Sequence, residues 1–336
     1  MLVTGGSGFI GANFVRQTVA GRPDIEVTVV DSLNYAASRA SLDPVADQIE
    51  FVRGSITDES LVGRLVKGAD VVVNFAAESH NDHSLRDPRP FLESNVIGTW
   101  NLLEAAREHG ARLHHVSTDE VFGELDLDSQ DRFDENTRYN PSSPYSATKA
   151  SADLLVRAWV RSFGVNATIS NCANNYGPLQ HVEKFIPRQV TNILTGVRPK
   201  LYGTGRNVRD WIHVADHNAA VQAVIDRGRA GETYLIGAEC EASNLAVVRT
   251  LLKIMGKPED WFDFVPDRPG HDLRYAIDPS KLQSELGWRP RYRDLEQGLE
   301  ATVAWYSDNR AWWEDAKRAA EARYAAYGAV TPPRVR

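Results

Sequence analysis

Gly5-Gly6-Ser7-Gly8-Phe9-Ile10-Gly11 follows a short apolar run, Met1–Thr4, and leads into a helical stretch, Phe9–Ala20. A Gly-x-x-Gly-x-x-Gly run means little alone, but between a strand and a helix it has a physical use. The glycines allow a tight turn and close approach of backbone amides to a diphosphate, and the helix N-terminus favours its charge. Asp31 ends the next strand candidate, Glu26–Asp31, at the distance from Gly11 where a carboxylate holds both adenosine ribose hydroxyls. That carboxylate would repel a 2′-phosphate, so NAD is expected rather than NADP.

Outward from this turn, strand candidates Ile49–Arg53, Val71–Ala76, Arg112–Ser117 and Ala167–Cys172 alternate with helix candidates Asp58–Val66, Phe91–His109 and Tyr145–Phe163. That alternation is the spacing of βαβ units. Near-continuous apolar strands such as Val71-Val72-Val73-Asn74-Phe75 suit a parallel sheet buried on both faces. Beyond Asn174 the pattern loosens. Helices are expected at Lys184–Gly196, Ala215–Arg227, Leu245–Met255, Ser280–Leu286 and Leu295–Asn309, with extended pieces at Lys200–Tyr202 and Arg274–Ile277. Pro, Gly and Arg gather at 196–210 and 266–271, which read as binding loops. The fold class is therefore α/β: a Rossmann-type doubly wound parallel sheet with a smaller, mostly C-terminal α/β substrate-binding domain. The expected division is 1–174 for NAD, rejoined by about 212–237, then 175–211 and 238–325 for substrate, and 326–336 as a tail.

Bulk properties narrow the function. At 336 residues with 42% apolar and 25% charged residues, the chain is an ordinary globular protein. A net charge of −7 argues against a nucleic-acid or membrane-surface partner. Two cysteines, Cys172 and Cys240, without a Cys-x-x-Cys motif point to a reducing cytoplasm. Neither a secretory signal nor a membrane-length apolar run is visible.

Tyr145-Ser146-Ala147-Thr148-Lys149 puts a phenol and an ammonium on one helix face. A nearby ammonium and a positive nicotinamide favour the phenolate, so Tyr145 is expected to take a proton from an alcohol at neutral pH. Thr118, at the end of a strand, would hydrogen-bond the hydroxyl being oxidised. Asp119 and Glu120 follow it directly. Removing water from a sugar ketone needs a base for the proton beside the carbonyl and an acid for the leaving hydroxyl. Neighbours on a regular strand face opposite ways, so the chain must leave strand geometry at Thr118. The acid must also stay protonated near neutrality, which burial and an adjacent carboxylate would provide. His213 and His217 have helical spacing without an accompanying glutamate motif, and read as structural; no metal is expected. The Trp residues from 305 to 313 read as packing for a C-terminal helix.

Six motifs occur together: Thr118-Asp119-Glu120-Val121-Phe122-Gly123, Tyr145–Lys149, Ala76-Ala77-Glu78-Ser79-His80, Asn174-Asn175-Tyr176-Gly177-Pro178, the run Val208–Val214, and Asp267-Arg268-Pro269-Gly270-His271-Asp272. As a set they resemble the dTDP-glucose 4,6-dehydratases, extended short-chain dehydrogenases of deoxysugar biosynthesis, from residue 1 to about 310. The resemblance implies that Tyr145 deprotonates the 4-hydroxyl as a hydride passes to NAD, Glu120 removes the carbon-5 proton, and Asp119 releases the 6-hydroxyl as water. The hydride then returns to carbon 6, so NAD stays bound and is regenerated.

It further implies cofactor contacts from Gly5, Gly8, Phe9, Ile10 and Gly11, then Asp31, Ser32, Leu33 and Asn34. Ser55, Ile56, Phe75, Ala76, Ala77, Ser79, Ser94, Tyr145, Lys149 and Asn175 complete that set. Substrate contacts are implied for Ser79, His80, Thr118, Asn174, Lys184 and Phe185, for Lys200, Leu201, Tyr202, Arg209 and Asn244, and for Asp267, Arg268 and His271. Arginine forks such as Arg209 and Arg268 suit a diphosphate. The chain departs from the usual pattern at Phe122 and Leu179, where tyrosine is common. A homodimer pairing the helices Phe91–His109 and Tyr145–Phe163 is implied as well. Competing readings are a UDP-sugar 4-epimerase or decarboxylase of the same fold, whose members usually lack one or both of the acidic pair, and a non-catalytic NAD-binding protein.

Overall fold

A computed structural model of the chain describes residues 1–267 and 270–328, with side chains described to residue 323. Its strands begin with β1 (Leu2–Thr4), β2 (Val27–Asp31), β3 (Ile49–Arg53), β4 (Val71–Asn74), β5 (Arg112–Thr118) and β6 (Ala167–Cys172). They continue with β7 (Asn174–Tyr176), β8 (Lys200–Tyr202), β9 (Val208–His213), β10 (Thr233–Ile236), β11 (Glu241–Ser243) and β12 (Asp263–Val265). Seven of these form one sheet in the order β10-β6-β5-β4-β1-β2-β3, parallel at every pairing. Strand order reverses between β1 and β4, which leaves a crevice at their carboxyl ends, the usual ligand position in such sheets. Two small sheets, β11-β9-β7 and β12-β8, are built from strands that follow β6 and alternate in sequence with β10 of the main sheet.

Apolar alternation places the core. Phe14, Val15, Val221, Val224 and Tyr234 belong to one buried cluster and Val62, Leu102, Leu103 and Val156 to another. A third cluster joins Val190, Leu201, Leu251, Tyr306 and Trp313. Trp313 is buried and donates from its indole nitrogen to the Tyr306 carbonyl at 2.7 Å, so this tryptophan packs a helix as its spacing suggests. Local chemistry sets the helix ends. Asp58 caps Glu59–Lys67 through the Leu61 N–H at 3.0 Å. Ser143 caps Pro144–Phe163, with Ser146 returning the bond, and Gly164 ends that helix in the left-handed conformation at φ 71°. His213 caps Val214–Arg227 and His217 is fully buried, which fits structural roles for both.

The structure differs from the sequence reading in several places. β4 stops at Asn74 because the Asn74 side chain accepts the Ala76 N–H at 3.2 Å and turns the chain. The stretch expected to be one helix from Phe91 holds a π-helical segment, Leu92–Ile97, before Gly98–His109. Within that segment Asn95 donates to the Glu78 carbonyl at 3.0 Å and to Thr148 Oγ1 at 2.9 Å, tying this helix to the loop after β4; π-bulges are frequent near functional sites. β9 and β10 lie outside the sequence-based expectation, and β10 is the seventh strand of the main sheet. Arg274 and Ile277 make isolated bridges rather than a strand. A helix runs over Arg310–Gly328, where the sequence suggested a tail from 326; residues 329–336, including Thr331–Arg336, lie outside the described residues. No helix among the described residues is long and apolar enough to cross a membrane.

Candidate active site

A cavity of about 300 Å³ opens at the reversal between β1 and β4, its lining residues running in sequence from Gly5 to Lys184. Its first half is the glycine turn. Gly5 sits at φ +68°, and a Cβ there would lie 2.6 Å from the Ala76 nitrogen, so only glycine lets the two strand ends approach this closely. Gly8 precedes the helix Phe9–Gly21 without any side-chain cap, leaving the first-turn amides to a ligand. Asp31 is buried; its two oxygens accept the Ser7 N–H at 2.9 Å and the Leu33 N–H at 2.7 Å. A carboxylate has about four acceptor positions, so roughly two remain for a vicinal diol. Burial pushes its pKa up, and the two amide bonds oppose that.

Ser32, Asn34, Ser55, Ile56, Phe75, Ala76, Ala77, Ser79, Ser94 and Asn175 all line the cavity, as do Gly8, Phe9, Ile10 and Gly11. Leu33 does not; its backbone amide positions Asp31 instead. The Oδ1 atoms of Asn174 and Asn175 are buried without a hydrogen-bond partner. These features together fit a dinucleotide beside a polar second ligand.

The second half of the cavity carries the candidate reactive groups. β5 ends at Thr118, and Asp119–Phe122 forms a 3₁₀ turn, so the chain does leave strand geometry where both carboxyls require it. Thr118 Oγ1 accepts the Glu120 N–H and donates to Asp119 Oδ1, both at 3.3 Å. Asp119 is only 1% exposed and its other oxygen has no partner. Burial, and next the Glu120 charge, hold its carboxyl well above the usual range, with the Arg209 cation pulling the other way. These surroundings favour the neutral, proton-donating form of Asp119. Glu120 is held by Asn81, whose Nδ2 donates to Oε2 at 2.7 Å while its Oδ1 accepts from the capping hydroxyl of Ser143 at 2.8 Å. One amide thus connects the carboxylate to the first turn of the helix bearing Tyr145.

Tyr145 is buried beside Thr118, and both line the cavity. Burial and then Glu120 push its phenol well up, and the Thr118 hydroxyl opposes this. The Lys149 ammonium, expected to favour the phenolate, makes its hydrogen bonds away from the Tyr145 hydroxyl. Lys149 Nζ donates to the Val116 carbonyl at 2.7 Å and lies 3.3 Å from His115 Nε2.

Substrate-side expectations divide. Ser79, Thr118, Asn174 and Lys184 line the cavity, and Lys184 Nζ donates to the Ser79 carbonyl at 2.8 Å. His80 stacks on His83 with centroids 4.4 Å apart and Nε2 3.9 Å from Glu183 Oε2, and does not line the cavity. With Glu183 these histidines cluster like metal donors, yet Arg323 pairs with the same carboxylate.

Phe185 stacks on Trp211, Leu201 is a fully buried core residue, and Lys200 pairs with Asp263. Arg209 is buried, its guanidinium donating to the carbonyls of Val208 and Asp272 and lying 4.2 Å over Tyr275. Asn244 starts a helix with its N–H on the Asn207 carbonyl at 3.0 Å, Tyr202 meets the His271 ring edge-on, and Asp267 bonds His271 at 2.7 Å. None of Phe185, Lys200, Leu201, Tyr202, Arg209, Asn244, Asp267 or His271 lines this cavity. Arg268 lies outside the described residues. Phe122 packs against Phe133 and Tyr139, and Leu179 is buried at φ +67°, so neither departure faces the reacting groups.

Asn81, Asn95, His115 and Asp153 went unread in the sequence. Each acts through a partner far along the chain, although Asp153, one helical turn past Lys149, carried a spacing signal.

A family model described as GDP-mannose 4,6 dehydratase matches residues 2–302. The chain is 64% identical over 328 residues to a dTDP-glucose 4,6-dehydratase of Mycolicibacterium smegmatis, covering 98% of this chain and 99% of that one. Among solved structures, the dTDP-glucose 4,6-dehydratase DesIV of Streptomyces venezuelae, with NAD and dTDP bound, superposes with a TM-score of 0.90 at 47% identity. That match covers 94% of this chain and 99% of DesIV. A Thermus thermophilus UDP-glucose 4-epimerase complexed with NAD follows at a TM-score of 0.84 and 28% identity, over 92% and 99%. The chain belongs to the GDP-mannose 4,6 dehydratase family and, within it, to the dTDP-glucose 4,6-dehydratases.

Proposed function

We propose that this chain is a lyase that converts dTDP-glucose to its 4-keto-6-deoxy product and water, with NAD held at the glycine turn. The observation that carries this is Asp119, buried and pushed toward its neutral form directly beside Glu120 and in one cavity with Tyr145. NAD, held by the glycine turn, Asp31, Ser55 and Asn175, would supply reversible oxidation at the sugar. Tyr145 takes the proton of the 4-hydroxyl, with Thr118 fixing that oxygen. Glu120, oriented by Asn81, removes the proton at carbon 5, which the neighbouring ketone acidifies. Asp119 gives its proton to the 6-hydroxyl as that leaves as water, and Glu120 then returns its proton to carbon 5 as the hydride taken from carbon 4 would pass back to carbon 6. An acid and a base are what elimination requires and epimerisation does not, which is why the 4-epimerase reading is not favoured despite the shared fold.

The same reading assigns 1–174 with about 212–237 to the cofactor and 175–211 with 238–325 to the nucleotide sugar. It places the chain in the cytoplasm and in dTDP-rhamnose or another deoxysugar pathway. The test is a panel of nucleoside-diphosphate sugars analysed by mass spectrometry. Loss of one water from dTDP-glucose is expected, and no loss from any of them would sink the proposal.

A homodimer is part of the reading. Leu92, Ile97, Trp100, Leu154 and Phe163 expose large apolar side chains on the two helical stretches expected to pair, a pattern that marks interaction surfaces. Light scattering should give twice the chain mass, and Leu154→Glu should shift it toward monomer. A wild-type monomer at micromolar concentration would contradict this.

A further inference from the structure

Behind the reacting groups lies a buried polar cluster that the proposed steps do not use. Asp153 stands one helical turn beyond Lys149 on the helix Pro144–Phe163, with a fully buried side chain. Its Oδ2 accepts from Ser117 Oγ at 2.9 Å, from Tyr139 OH at 3.0 Å and from Asn171 Nδ2 at 3.0 Å. Its Oδ1 has no hydrogen-bond partner and lies 3.5 Å from His115 Nε2.

The tautomer of His115 follows from its other side. Asn74 Oδ1 accepts from Thr4 Oγ1 at 2.6 Å and from the Ala76 N–H, so Asn74 Nδ2 must donate to His115 Nδ1 at 3.1 Å. The ring proton therefore sits on Nε2 and faces the open carboxylate oxygen at 3.5 Å, because the Lys149 ammonium 3.3 Å away has no acceptor to offer it. Burial, then the Lys149 charge, keep this imidazole neutral.

We propose that Asp153 is the buried counter-charge of Lys149, a positioning residue that keeps the lysine cationic one turn below Tyr145. The inference rests on the redox reading of Tyr145 and Lys149. A lone buried ammonium would lose its proton. Burial does push Lys149 down, and the first influence opposing it is the Asp153 charge; burial pushes Asp153 up, and the first influence opposing it is Lys149. The other groups facing the pair are poor substitutes. The Cys172 thiol is pushed up to about 12 and is uncharged near neutrality. His115 is neutral, Tyr139 is a phenol, and Arg157, 4.9 Å over the Tyr139 ring, is a further cation.

The experiment is the pH profile of kcat and kcat/KM for dTDP-glucose in the full-length NAD-loaded enzyme. Removing the counter-charge in Asp153→Asn lowers the lysine pKa, so the alkaline limb should move down by roughly one to three pH units, with KM little changed. Asp153→Glu restores the charge and should return the limb toward wild type, whatever its kcat. An Asp153→Asn limb that stays with wild type overturns the proposal, as does an Asp153→Glu limb displaced equally far. If Asp153→Asn does not fold, Tyr139→Phe takes its place. Losing one donor raises the carboxyl pKa, so the acid limb should rise, and an unmoved acid limb is the refutation. A wild type with no dehydrated product sinks the functional reading and this inference with it; an active wild type with unmoved variants sinks the inference alone.

Discussion

Asp119→Asn should reduce formation of the dehydrated sugar by roughly a hundred- to ten-thousand-fold, the range for a lost general acid, while oxidation at carbon 4 continues. The amide matches the carboxyl in shape, so the change removes a transferable proton and little else. A neutral amide takes the place of a carboxyl whose surroundings already favour its neutral form, so folding should not suffer. The measurement is quenching with borodeuteride and mass spectrometry of the sugar. A ketone formed before water loss is recovered as a hexose carrying deuterium at carbon 4. If the variant instead accumulates no such species, Asp119 acts earlier than assigned. If the dehydrated product forms at the wild-type rate, the proton comes from elsewhere.

A different failure is expected from Tyr145→Phe. Turnover should again fall roughly a hundred- to ten-thousand-fold, but no ketone should be trapped, because the first proton is never removed. KM for dTDP-glucose should hold near wild type, since a group acting only as a proton acceptor contributes chiefly to the transition state. The structure makes this a stringent test. Burial and Glu120 both push the phenol up, so the phenolate must be stabilised against both for the first step to run. Trapped ketone in this variant would move the base to another group, with Glu120 the nearest alternative in the same cavity.

The two variants separate oxidation from elimination, and that separation depends on a local detail of the backbone. Had β5 continued past Thr118, Asp119 and Glu120 would point to opposite faces of the sheet. The 3₁₀ turn at Asp119–Phe122 brings both carboxyls to the cavity. The need for such a turn was legible from chemistry, since two adjacent residues had to serve one sugar. That Asn81 would hold Glu120 was not, because the two are thirty-nine positions apart and an asparagine after a histidine carries no periodic signal.

By itself the sequence determined the parallel sheet and the glycine turn with Asp31, and it singled out Tyr145 and Lys149 as candidate reacting groups. All of these follow from local spacing: apolar runs of strand length, glycines between strand and helix, and a tyrosine and lysine one helical turn apart. Tertiary structure alone decided the burial that favours the neutral form of Asp119, where the Lys149 ammonium is directed, and which basic residues point elsewhere. Lys200 is paired with Asp263 and the Arg209 guanidinium is absorbed by backbone carbonyls. The physical reason is that a proton affinity is set by water excluded and charges brought near. Both depend on chain segments that meet only in the folded protein.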